Sequence, residues 1–105
     1  MKKHLLKTVH PGDVLREDFM KPLGLSAYRV AKDIGVGAIT ISMICRGKRS
    51  VSAEMALKLA RYTNTSAELW TGIQADYDLE IAKRAIEKRV KREISPCCLL
   101  MPRMA

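Results

Sequence analysis

The chain has 105 residues, with 19 lysines and arginines against 11 aspartates and glutamates, a formal charge of +8. At 48% hydrophobic and 29% charged it suits one folded domain rather than disorder, and 5% aromatics leaves aliphatics, alanine and methionine to build a core of packed helices. No run approaches the ~18 apolar residues that span a bilayer, and "MKKHLL" is followed at once by Lys7, His10 and Asp13 rather than by an apolar signal region.

The expectation is a cytoplasmic protein with no membrane partner, whose basic balance suits a polyanion such as nucleic acid, a membrane surface or an acidic protein. Cys45, Cys97 and Cys98 are odd in number, and two of them are adjacent, which makes a poor disulfide. They lack metal-ligand spacing, and His4 and His10 lie far from them in sequence, so neither a metal nor a cofactor is expected.

Five helices follow from the punctuation of the chain. The first opens at "HPGDVLREDFM", where Pro11 suits an initial turn and Asp13 faces the positive end of the helix dipole. Val14, Leu15 and Phe19 share a face, and Pro22 with Gly24 is expected to end it. Ser26 caps the second helix, "AYRVAKDIG", with Val30, Ala31 and Ile34 inward and Gly35 as the stop. The next stretch, "GVGAITISMICRGKR", is ambiguous on its own. Ala38, Ile41 and Ile44 recur every three residues, yet strict alternation is nearly as good. Its neighbours settle it: both are helical, and a lone strand has nothing to pair with.

The fourth helix begins with Ser52 as cap, carries Met55, Ala56, Leu59 and Ala60 as its stripe, and closes at Asn64. The fifth starts at "TSAELW", where Thr65 with Glu68 fits a capping box and Ser66 is the other cap candidate. Trp70, Ile73 and Tyr77 form its stripe, which Ile81, Ala85 or Ile86, and Val90 continue, while cations from Lys83 to Arg92 solvate the rest. Residues 9–94 thus make the expected domain, with 1–8 and 95–105 as flexible termini.

The second and third helices form a helix-turn-helix candidate. Ala31 is small where the helices cross, Gly35 enters the turn, and Ile41 wedges between them. A recognition helix lies in the major groove with its N-terminal residues at base edges. Here these are Gly37, Ala38, Ile39 and Thr40, with Met43 one turn on, and none offers a bidentate contact. Thr40 supplies one hydrogen bond, and Ala38 and Ile39 suit thymine methyls. Arg29, Lys32, Arg46, Lys48 and Arg49 are the candidate phosphate contacts. Catalysis is not expected: Glu17 with Asp18 and Asp76 with Asp78 lack a partner base or nucleophile, and no phosphate-cradling glycine loop exists.

"HPGDVLREDFMKPLGLSAYRVAKDIGV", "ISMICRGKRSVSAEMALKLARY", "TSAELW" and "IQADYDL" together resemble the HigA antitoxins of the XRE, or Cro/C1-type, helix-turn-helix class, over about residues 9–80. The resemblance implies an all-α, five-helix lambda-repressor-like domain with an extended C-terminal helix. It further implies a homodimer on a double-stranded DNA operator, repression of its own operon, and neutralisation of a HigB-type toxin, an mRNA-cleaving ribonuclease of the RelE type. Carried over by position, Ala31, Gly35 and Ile41 match the motif scaffold, and Arg46, Gly47, Lys48 and Arg49 match the segment after the recognition helix. Trp70, Gln74, Asp78 and Leu79, with Tyr77 among them, fall on the last helix and are assigned to dimerisation. The chain departs from the pattern at Ala27, at Ile39 and Thr40, and at Gly72, where the family often carries Gln, a polar or basic pair, and Asn.

Overall fold

A computed structural model describes residues 8–100. Within them the chain forms five helices and no strand. Helix α1 covers residues 11–23 in three windings: Pro11–Val14, a π-helical stretch Leu15–Met20, and a last turn Lys21–Leu23. Then come α2 (Ala27–Ile34), α3 (Ala38–Cys45), α4 (Ala53–Thr63) and α5 (Ala67–Glu93).

Local chemistry sets most of the boundaries. The backbone N–H of Arg29, Met55 and Leu69 donates to the hydroxyl of Ser26, Ser52 and Ser66, capping α2, α4 and α5. Ser66 is therefore the cap of α5. Thr65 instead accepts from the indole Nε1 of Trp70 at 2.9 Å, which satisfies the one polar atom of a buried ring. Asn64 closes α4 in the left-handed region at φ 57°.

Pro22 does not stop α1. The helix runs one residue past it and ends at Gly24. In an α-helix the proline ring meets the carbonyl four residues back. Here the preceding turn is wound as a π-helix, which is wider and moves that carbonyl away.

The core takes one stripe from each helix. Leu15, Val30, Ile41, Ile44, Leu59 and Trp70 are all buried, with Phe19 tilted against Trp70 at 5.9 Å between ring centres. The stripe expected to continue along α5 does not pack. Ile81, Ile86 and Val90 are exposed because the body ends near Tyr77 while the helix goes on to Glu93. At 1.5 Å per residue α5 is about 40 Å long, and it gives the molecule its 54 × 24 × 24 Å extents.

Candidate nucleic-acid interface

The scaffold of the helix-turn-helix is assembled as the residue types require. Ala31 and Ile41 are buried where α2 meets α3. Gly35 sits at φ 77°, a conformation in which a Cβ is strained, and it lets the N–H of Val36 return to the carbonyl of Ala31 at 2.9 Å. Winding residues 38–45 as a helix buries Ile41, Ile44 and Cys45 together and leaves Ala38 and Ile39 outside. A strand would have split Ile41 from Ile44.

The outer face of α3 is apolar and open. Ile39 is 74% exposed, Ala38 is exposed, and Thr40 and Met43 are half-buried. Ile39 is thus a surface residue and not core. Among the described helix starts, α3 is the one without a side-chain cap, because Gly37 precedes it. Its first amides and the partial positive charge of the helix end are left to whatever the helix approaches.

Behind α3 the chain turns sharply. Gly47, at φ 72°, returns its N–H to the carbonyl of Ile44 at 3.0 Å, and Lys48 returns its own to Met43 at 2.9 Å. This is a Schellman closure. It throws Arg46, Lys48 and Arg49 into solvent, all exposed and without a salt bridge among the described residues; Lys32 on α2 is exposed too, and its charge helps hold the Asp33 carboxyl down.

Arg29 differs: its Nε donates to Asp33 at 2.8 Å, and the Tyr62 hydroxyl of α4 donates to the same carboxylate at 2.6 Å. The Tyr62 and Arg29 hydrogen bonds hold the Asp33 carboxyl below its usual range, and Asp33 in turn raises Tyr62 and Arg29. Arg29 therefore links α2 to α4, and its other guanidinium nitrogens remain exposed.

Three residues that position this surface carry no sequence signal of their own. Arg16 on α1 donates Nη1 to the Cys45 carbonyl at the end of α3, and reaches Asp13 at 3.1 Å and Glu17 at 3.0 Å. A cation thus closes the negative end of the recognition helix. Hydrogen bonds to these carboxylates raise the Arg16 pKa. Gly12 lies against the same helix end, where a Cβ would fall 1.8 Å from the carbonyl oxygen of Ile44. His10 is buried at the start of α1. Its Nδ1 accepts from the Gly12 N–H at 2.8 Å, and its ring stands edge-on to Tyr77 at 4.8 Å and beside Gly47. Burial pushes its pKa down, with Asp13 and Asp78 opposing.

The residues assigned to dimerisation divide into two sets. Trp70 and Gln74 are buried within the protomer and therefore serve its own core. Gln74 accepts from the Val51 N–H at 2.7 Å and donates to Asp78 at 2.9 Å, tying the start of α4 to α5. Tyr77 is half-buried against His10, and only Asp78 and Leu79 face outward, Leu79 at 58% exposure. Burial raises the Cys45 thiol pKa, while Cys97 and Cys98 are exposed and unpaired. No cluster of three metal-ligating side chains occurs among the described residues.

A Helix-turn-helix family model, HTH_3, matches residues 17–70, the interval that holds α2, α3, the basic turn and α4. The chain belongs to this family. It is an XRE-type helix-turn-helix protein, a DNA-binding regulator class and not an enzyme class. Virulence-associated protein I of Dichelobacter nodosus is 40% identical over 82 residues, 78% of this chain and 76% of that one. The helix-turn-helix transcriptional regulator YbaQ of Escherichia coli is 32% identical over 79 residues, 75% and 70% of the two chains. Among solved structures, the Pseudomonas aeruginosa antitoxin HigA with the higBA promoter superposes with a TM-score of 0.84 at 38% identity. That match covers 90% of this chain and all of the other. No described helix is long and apolar enough to cross a membrane.

Proposed function

We propose that the protein is a sequence-specific DNA-binding antitoxin of a HigBA-type system. In this reading it works in the cytoplasm as a homodimer on the operator of its own operon, and it neutralises a RelE-type mRNA-cleaving toxin. The observation that carries the DNA half is the exposed apolar face of α3 beside four exposed cations, Lys32, Arg46, Lys48 and Arg49, in a fold that a promoter-bound HigA shares over its full length. Phosphate contacts supply position and most of the affinity. Base discrimination then rests on Thr40, on methyl contacts by Ala38, Ile39 and Met43, and on operator shape.

The outer face of α5 supports the homodimer. Gly72, Ala75, Leu79, Ala82, Ile86 and Val90 follow one another at steps of three, four, three, four and four residues, and all are exposed. Such a seam is the pattern that pairs helices, and a monomer rarely leaves it uncovered. A dimer places two recognition helices at half-sites about one DNA turn apart.

A footprint on the protein's own upstream region, with growth rescue on co-expression with the adjacent toxin reading frame, tests the reading. The absence of a specific footprint removes the operator half, and failed rescue removes the antitoxin half. A repressor without a toxin is the second reading, favoured by the 32% identity to a relative named only as a transcriptional regulator. It predicts a footprint without rescue.

A further inference from the structure

From residue 81 onward every side chain of α5 is exposed, so the last 13 positions of the helix overhang the body. Between Lys83 and Arg92 this overhang carries six cations and a single acid, Glu87. Two of the six have acidic partners, Arg84 with Glu80 at 3.5 Å and Arg89 with Glu93 at 3.9 Å. Lys83, Lys88, Lys91 and Arg92 have none among the described residues.

The cations are not spread evenly round the helix. Trp70, Gln74 and Tyr77 mark the face that packs on the body. Steps of seven, four and three residues from Tyr77 lead to Arg84, Lys88 and Lys91, and Arg92 lies one turn beyond Lys88. Such steps return to one side of a helix, so the packing face becomes a cationic face once it clears the body. Direct contact fixes its direction, because Arg84 donates to the Thr8 hydroxyl at 2.7 Å.

The same side holds the basic turn. Thr8 leads to His10, whose ring touches both Gly47 and Tyr77. The face that begins at Arg84 is therefore on the side of α5 turned toward Gly47, the centre of the turn from which Arg46, Lys48 and Arg49 extend. The apolar seam for a second copy lies on the other side of α5, so the two faces do not compete.

We propose that the overhang of α5 is a second phosphate-binding element, in which Lys88, Lys91 and Arg92 meet the backbone of the DNA duplex gripped by Arg46, Lys48 and Arg49. Charge complementarity favours this occupant. Duplex DNA presents one negative charge per ~1.7 Å of axis, and Lys88, Lys91 and Arg92 set three cations within about 6 Å of helix rise at 1.5 Å per residue. The proposal rests on the reading of the chain as an operator-binding protein.

The test uses the full chain with Lys88→Gln, Lys91→Gln and Arg92→Gln combined, exposed changes that keep the helix. Affinity for the footprinted duplex and for a random duplex of equal length is measured by anisotropy across a salt series. Each lost phosphate contact removes about 0.9 from the slope of log affinity against log salt. The expected result is a slope shallower by about 2–3 per protomer on both duplexes, with a dimer of unchanged mass by light scattering. An unchanged slope overturns the proposal, as does a shallower slope that appears only because the dimer is lost. Loss of toxin binding with DNA binding intact overturns it in favour of an acidic protein surface. If the wild-type chain gives no specific footprint, the operator reading fails separately, and the random-duplex slope still decides whether these cations hold phosphates.

Discussion

Replacing Gly12 with alanine separates two opposite expectations. Gly12 sits in the first turn of α1, and by helix propensity alone alanine there gains up to about 1 kcal/mol. The packing says otherwise. The added Cβ falls 1.8 Å from the Ile44 carbonyl oxygen, 2.6 Å from its carbon and 3.0 Å from the Cys45 Cα, all backbone atoms that no rotamer change can clear. To reach ordinary contact, α1 and the end of α3 must separate by more than 1 Å, which also pulls Arg16 from the Cys45 carbonyl. Overpacking of this kind costs about 1–3 kcal/mol, and a lost hydrogen bond from a charged donor adds roughly 1.5 kcal/mol. After the propensity gain, a net loss of about 2–3 kcal/mol remains. For a chain this small that lowers Tm by roughly 10–20 °C. Circular dichroism melts at one fixed protein concentration measure it, since a dimer melts in a concentration-dependent way. A Gly12→Ala chain as stable as the wild type, or more so, refutes the claim that α1 meets the recognition helix backbone to backbone.

Three further outcomes follow from the same region. His10 is buried neutral with its pKa below 6.5, so the unfolded chain takes up the proton first and stability is lost as pH falls from about 6.5 toward the folded pKa. Urea midpoints at pH 7.5 and 5.5 should differ for the wild type and converge for His10→Asn. Arg16→Ala should destabilise by about 1–2 kcal/mol, reduced from the full charged-bond figure because the side chain is partly exposed. Arg16→Lys should recover little, since Glu17, the Cys45 carbonyl and Asp13 each face a different guanidinium nitrogen and a single ammonium nitrogen cannot reach all three, and denaturant titration of both variants checks this. Gly35→Ala has open space but a φ of 77°, so it should cost about 1–2 kcal/mol in a thermal melt, and Gly35→Asn should cost less.

The features legible in the sequence are those encoded within a few residues. Ser26, Ser52 and Asn64 act where their chemistry places them, and Ala31, Gly35 and Ile41 announce the helix-turn-helix through size and spacing. The contacts behind the site were not legible because they join distant segments. Arg16 meets Cys45 across 29 positions, and nothing near Gly12 signals a second helix end above it. The first helix ends at Gly24 as expected, but Pro22 plays no part in the stop, for a related reason. A proline rule assumes α-helical winding, and the π turn before it is visible only in the folded chain. The stripe expected along α5 holds only as far as Tyr77: Ile86 and Val90, nine and thirteen residues on, come round to the opposite side of the helix.

The turn after α3 has a kinetic consequence. The amides of Arg46, Gly47 and Lys48 all point back to carbonyls of α3, so at these positions a phosphate would meet the exposed side chains of Arg46 and Lys48 rather than the backbone. A backbone cradle would hold one phosphate in one place. Side chains of this kind would exchange one phosphate for the next with little rearrangement, which is what movement along DNA without release requires. On the proposed operator-binding reading, such a turn suits a one-dimensional search that ends where the apolar face of α3 finds its bases.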